Sequence, residues 1–342
     1  MKRRTLLQRA AAALLPLALP AAARAQSNWR DVAVPSYLPP DFVAGALKFW
    51  FVPRAEEFAG RADALVAALA AGCGPAAQAA WREALLAWVR LSAVAAGPLL
   101  ERRSVRRIDF QPTRPEAIER AVAAQPAGEA ALERVGSAAK GFAALEWLLW
   151  SPKLTPEHCR YAGELAQDIA REAAALKAAF IAQRDLERDD EAVVAAMSEI
   201  LNQWIGGIEQ LRLQGIERPL HEARSRVRAK PPFPRALSGS SGAERSARAQ
   251  ALRALAVFDA KLAPAGGAGL VPLETYLRGK GLNPLADRLR AAAAQAGNGL
   301  GSDAVPALQA AARRLAGLKH LAESEVAPAL DVRVGFSDAD GD

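Results

Sequence analysis

The chain has 342 residues, of which 51% are apolar, 24% charged and only 6% aromatic. That balance supports a sizeable core and excludes wholesale disorder or a collagen-like fibre. Alanine, at about a quarter of the residues, favours helices over sheet. The formal charge of +7 suggests a nucleic-acid binder until its distribution is read.

Residues 1–25 read as a secretory signal. Lys2, Arg3 and Arg4 form a charged start, Ala10 to Leu19 a short apolar run, and Ala23-Arg24-Ala25 a small-x-small cleavage site. The run Lys2-Arg3-Arg4-Thr5-Leu6-Leu7 also fits a twin-arginine export signal. The apolar run is too short to span a bilayer. This segment holds five basic residues and no acids, which leaves 39 basic against 37 acidic residues and a net of +2. Nucleic acid is therefore not an expected partner, and no later segment reads as transmembrane. The mature chain is expected in a bacterial periplasm. That compartment permits a disulfide between the only two cysteines. Cys73 sits in the turn Gly72-Cys73-Gly74-Pro75, and Cys159 in the first helical turn after Pro156. They are either bridged or two unrelated small apolar residues.

Helical periodicity begins at Asp41 and predicts helices over 41–71, 76–98, 128–150, 156–184, 189–222, 243–262, 272–278, 284–297 and 304–330. Trp81, Leu85 and Trp88 form an ordinary core stripe. Breaks fall at Gln111-Pro112-Thr113-Arg114-Pro115, at Lys230-Pro231-Pro232-Phe233-Pro234 and at Gly266-Gly267-Ala268-Gly269. Segment 223–241 has no periodicity and reads as a long functional or disordered loop. No alternating pattern is long enough for a sheet.

The stretch from Gly141 to Leu149 repeats between Gly269 and Leu277 as Gly-apolar-x-x-Leu-Glu-x-x-Leu, 128 residues apart. Such an offset suggests two related halves. The expected fold is all-α, with two related helical bundles at 26–187 and 188–342 and a site at their interface.

In the expected helix 128–150, Leu132, Val135, Ala139, Phe142 and Leu149 form an apolar stripe that also seats Glu146. A carboxylate withdrawn from water needs a cation, a metal or hydrogen-bond donors. Glu146 is either a ligand or catalytic group, or half of a structural Glu–Arg pair. Arg102, Arg103, Arg106 and Arg107, just before Asp109, either supply its clamp or form a solvated basic turn. Glu274, the repeat partner of Glu146, follows Pro272 by two. It suits a first helical turn, where the helix dipole alone favours a carboxylate. His158, His221 and His320 are scattered. His320 with Glu323 is a weak metal pair and reads better as a solvated face. No zinc-peptidase, nucleophile-elbow, P-loop or dinucleotide motif is present.

The segment Gly141-Phe142-Ala143-Ala144-Leu145-Glu146 resembles the Gly-x-His-x-x-Glu signature of the imelysin-like proteins. Arg107-Ile108-Asp109-Phe110-Gln111-Pro112 resembles the family's acidic-aromatic-x-Pro turn, and Cys159-Arg160-Tyr161 the opening of its long helix. Pro234 to Ser241 resembles its Ser-Gly-x-Ser loop, and Val334 to Asp342 its C-terminus. The resemblance implies a two-bundle periplasmic or surface protein, linked to iron uptake and named for a peptidase activity. It implies a cleft carrying Glu146, Asp109, Arg106 or Arg107, Ser238 and Ser241, with iron-transport components as partners. The arginines would neutralise the buried carboxylate and hold an anionic ligand, and the serines would donate hydrogen bonds. Iron or zinc, with Glu146 as a ligand, would be the metal. Ala143 stands where the motif has His, which removes an imidazole ligand or base. A binding protein is thus expected ahead of a peptidase with ligands displaced to His221 or His320, or a scaffold that lost its site.

Overall fold

The computed structural model describes residues 35–152, 154–225, 232–258 and 269–335. The expected export signal and the end of the C-terminal motif lie outside the described residues, as do 226–231 of the long loop. Helix α1 (Pro39–Ala46) opens on a proline pair, with Asp41 accepting the Leu38 amide at 2.8 Å. It continues through a π-helical turn, Leu47–Phe51, into α2 (Val52–Ala71). Gly72, at φ 137°, ends α2, and Pro75 opens α3 (Pro75–Ser92). Short helices follow: α4 (Pro98–Glu101), α5 (Ser104–Ile108), α6 (Pro115–Ala124) and α7 (Glu129–Glu133). A 3-10 turn, Ser137–Ala139, leads to α8 (Gly141–Trp150).

The longest helices are α9 (Pro156–Asp185) and α10 (Asp190–Arg212). Thr155 caps the first by accepting the His158 amide at 3.4 Å, and Asp189 the second by accepting the Ala192 amide at 2.8 Å. A second π-helical turn, Leu213–Glu217, joins α10 to α11 (Arg218–Ser225). Then come α12 (Ser241–Ala256), α13 (Leu273–Gly279), α14 (Asn283–Ala296) and α15 (Val305–Leu321). A third π-helical turn, Ala322–Val326, precedes α16 (Ala327–Ala329). Among the described residues there is no strand, as an all-α fold requires. None of their helices is long and apolar enough to cross a membrane.

Three expectations need correction. The single helix over 128–150 is broken into α7, a 3-10 turn and α8. Gly136 and Gly141 interrupt it, and Lys140 between them is extended, with φ −121° and ψ 176°. The apolar stripe through Leu132 and Ala139 therefore does not continue to Glu146. Pro115 does not prolong a break but starts α6, since its missing N–H is spare at a first helical position. The helix expected over 76–98 stops at Ser92, because Pro98 and Gly97, at φ 56°, begin a new one.

Helix α2 packs on α3 and α9; α3 also meets α12, and α10 meets α1, α12 and α15. From residue 35 onward the described residues form one compact unit. Its aromatic centre includes Phe51 stacked on Phe180 at 5.0 Å and Trp81 edge-on to Trp150 at 5.1 Å. A Cβ at Gly207 would run into the Ala93 carbonyl, so α10 lies directly on the end of α3. Cys73 and Cys159 are bridged, with Cα atoms 5.7 Å apart, and tie the α2–α3 turn to the start of α9.

Candidate functional site

The site is built on a backbone contact. Gly141 has φ 72°, and a Cβ there would collide with the carbonyl of Ile108. Only glycine lets the end of α5 lie against the start of α8 in this way. The next residue, Asp109, accepts a hydrogen bond from the indole Nε1 of buried Trp88 at 2.8 Å. Its other oxygen accepts from Nη2 of Arg235. Arg235 lies in the turn that precedes α12, in the left-handed region at φ 61°, and only 2% of it is exposed. Its Nε is 3.5 Å from a carboxylate oxygen of Glu244 in the first turn of α12. Glu146, 2% exposed, adds a third negative charge to this neighbourhood and accepts the Ser238 amide at 2.8 Å.

One guanidinium is thus surrounded by three carboxylates. Burial works against its charge, but the fields of Asp109, Glu244 and Glu146 prevail and raise its pKa above the ordinary value. The pKa of Glu244 is raised as well, which for a carboxyl group favours the neutral form. Burial is the largest cause that raises its carboxyl pKa, Asp109 and Glu146 reinforce it, and Arg235 and Arg248 oppose it. The loop is closed by its own serines. Ser238 Oγ donates to the Arg235 carbonyl at 3.1 Å, and Ser241 Oγ to the Pro234 carbonyl at 2.7 Å. Arg82 donates to the Ser238 carbonyl at 3.1 Å. The serine hydroxyls expected to face a ligand are therefore spent on the backbone that holds Arg235.

In front of Arg235 opens a cavity of about 650 Å³. Asp109, Arg106, Arg235, Ser241 and Glu244 all line it. The π-helical turn at 213–217 contributes Gln214 and Gly215, a common use of such turns at functional sites. Six arginines face two carboxylates in the wall: Arg103, Arg106, Arg218, Arg235, Arg245 and Arg248 against Asp109 and Glu244. Arg103, like Arg235, has a left-handed backbone, at φ 52°. Among the described residues, the buried Arg235 Nη1, Arg245 Nη1 and Ser92 Oγ have no hydrogen-bond partner.

The sequence-predicted residues divide. Glu146, Asp109, Ser238 and Ser241 gather round Arg235, and Arg106 stands in the same cavity wall. Arg107 and Arg102 do not clamp Glu146. They turn to Glu172, at 3.4 and 2.8 Å, where Ser104 Oγ also donates at 2.6 Å, and Arg107 lies 3.6 Å from Asp168. Their place on the short helix α5 and the turn before it points them at α9, not at α8. Glu274 does stand in the first turn of α13, but the helix dipole is not its only support. It is 1% exposed and accepts from Arg278 at 2.7 Å and Arg290 at 2.6 Å, in a cluster with Asp287 away from the cavity. His221 and His320 are both exposed, and His158 bonds Thr155 at 2.7 Å. Sequence reasoning missed Arg235 and Glu244. Arg235 stands three residues before Ser238. Ser241-x-x-Glu244 carries only the spacing of a helix cap, which hides the role of Glu244.

The residues do not fit a resident metal ion. Ala143 is buried and offers no ligand, and the carboxylates that converge already hold a guanidinium. Among the described residues no three His, Cys, Asp or Glu side chains are arranged to hold a metal.

The profile of a peptidase family described as Imelysin matches residues 51–327. An imelysin-like protein from Psychrobacter arcticum 273-4, of known crystal structure, superposes with a TM-score of 0.71 at 18% identity, over 89% of this chain and all of that one. A candidate iron-regulated protein A precursor from Parabacteroides distasonis ATCC 8503 gives 0.71 at 12% identity, over 88% of this chain and 99% of that one. These identities speak to the fold alone. No curated protein matches the chain significantly.

Proposed function

This chain belongs to the imelysin family, and on that premise we propose that it is an exported binding protein serving iron acquisition in the periplasm. It receives its ligand in the arginine-lined cavity and is not a metallopeptidase. The carrying observation is the identity of the cation among the family-motif carboxylate and its neighbours, which is the guanidinium of Arg235. A fixed organic cation satisfies those carboxylates without a metal, and it has no open position at which to activate water. The name of the Parabacteroides protein supports the link to iron, and the Cys73–Cys159 bridge suits an oxidising compartment.

Calorimetric titration of the metal-free mature chain with Fe²⁺, Fe³⁺ and Zn²⁺ tests this reading, together with a proteolysis assay with and without chelator. Neither tight binding nor cleavage is expected. Sub-micromolar binding that Glu146→Gln abolishes, or chelator-sensitive cleavage, would overturn it.

A further inference from the structure

The chemistry of the cavity wall narrows the ligand. Its cations stand on three separate supports. Arg103 and Arg106 come from the α4–α5 segment, Arg218 from the start of α11, and Arg245 and Arg248 from α12. Arg103 and Arg106 are exposed, and no ion pair occupies them among the described residues. Arg245 is 3% exposed. Its Nη2 is held by Asp303 at 2.6 Å, while its Nη1 stays without an acceptor. Ser92 Oγ and Arg235 Nη1 are further buried donors without acceptors, on residues that line the same cavity. Buried polar groups are nearly always paired, so donors orphaned together beside one cavity mark a place for acceptors. The same wall also carries the apolar side chains of Leu99, Leu100, Val105, Phe110 and Leu211.

We propose that the cavity receives a small organic polyanion carrying two or more carboxylates on a carbon skeleton, with Arg103 and Arg106 gripping one end and Arg245 and Arg248 the other. This deepens the proposed function and rests on its choice of cavity. Guanidinium forks match carboxylate geometry in pairs, and cations carried on separate elements suit a ligand with more than one anionic group. The apolar part of the wall is wasted on an inorganic ion but packs against methylene groups. The volume falls within the range of roughly 300–1,000 Å³ usual for small-molecule sites. Polycarboxylates also chelate ferric ion, so the same wall would accept the free acid or its iron chelate.

The test uses the whole mature chain and three probes, citrate, ferric citrate and inorganic phosphate, titrated by calorimetry. The double variant Arg103→Ala/Arg106→Ala removes two exposed side chains, and far-UV circular dichroism checks its fold. Arg288→Ala, on the exposed face of α14, is the control. Citrate or ferric citrate is expected to bind, and the double variant to weaken that binding by about tenfold or more, given two lost charge-assisted contacts. The control should change nothing. Whichever of the two probes binds tighter identifies free acid or chelate. Phosphate binding tighter than both, citrate binding unchanged by the double variant, or silence toward all three overturns the polyanion. None of these outcomes touches the proposed function, which falls only on metal binding through Glu146 or on chelator-sensitive cleavage.

Discussion

Arg235 and Asp109 lie 126 residues apart in sequence, yet they form a buried ion pair that joins the loop before α12 to the end of α5. Glu244 and Glu146 share the same guanidinium field, so its removal strands three carboxylates. Arg235→Leu should destabilise the protein by about 3–5 kcal/mol, the usual cost of leaving a buried charge uncompensated. Urea unfolding would register this as a lower midpoint. Adding Asp109→Asn to the variant should recover part of the loss, and a double-mutant cycle would measure that coupling. A midpoint unmoved by Arg235→Leu would show that the guanidinium does not neutralise the cluster.

Gly141 offers a second test, since its backbone conformation and its neighbour both demand glycine. A side chain at φ 72° costs roughly 1–2 kcal/mol by itself, and the Ile108 carbonyl must also move. Gly141→Ala should therefore cost about 2 kcal/mol or more in equilibrium unfolding. Because Ile108 precedes Asp109, the shift should also disturb the Trp88–Asp109 hydrogen bond and change tryptophan emission in the native state. Gly60, whose added Cβ meets nothing within 4 Å, serves as the comparison, and Gly60→Ala should be nearly neutral or stabilising.

Much of this was legible because local rules and tertiary packing agreed. Asp189 and the proline at the start of α3 mark helix starts by chemistry that acts within one turn. The burial of Glu146 was legible as well, though by the wrong route. The stripe from Leu132 breaks at Gly136 and Lys140, and the carboxylate is buried because α8 is enclosed on nearly every side. The partner of Glu146 was not legible. Nearby arginines compete for nearby acids, and only the packing of α5 on α9 assigns Arg102 and Arg107 to Glu172. Arg235 comes from a segment without periodicity, so no local signal places it beside Asp109. The repeat motif shows the same limit. Glu146 and Glu274 hold matching positions and are equally buried, but the first looks to a loop amide and the second to arginines on its own and the next helix.

The Cys73–Cys159 bridge closes a loop of 86 residues that contains α3 to α8, and so both Trp88 and Asp109. Cross-links over loops of that length stabilise chiefly by restricting the unfolded chain. Reduction, or Cys73→Ala with Cys159→Ala, should cost about 2–5 kcal/mol and lower the thermal midpoint. Differential scanning calorimetry in the presence and absence of reductant would measure the shift. Neither cysteine lines the cavity, so polyanion binding by the reduced protein should persist below its lowered midpoint. Binding that vanishes while the fold remains intact would show that the bridge also shapes the cavity.

Glu244 gives the site a defined pH response. Its native carboxyl pKa is raised, chiefly by burial, above the 4.5 of an unperturbed glutamate. Between 4.5 and that raised value the folded chain keeps a proton that the unfolded chain has released. The group's stabilising contribution is therefore complete below 4.5 and is lost as pH rises through the native pKa. Glu244→Gln carries a permanently neutral side chain of nearly the same shape and escapes this loss. All other titrating groups are common to both proteins and cancel in the difference, apart from those that Glu244 itself influences. The stability of the variant relative to the parent should thus climb from pH 4.5 upward and level off once Glu244 is ionised in the native state. Urea unfolding of both proteins across that range measures the difference directly. A difference that stays flat, or that falls with pH, would mean that Arg235 and Arg248 outweigh burial and hold Glu244 ionised throughout.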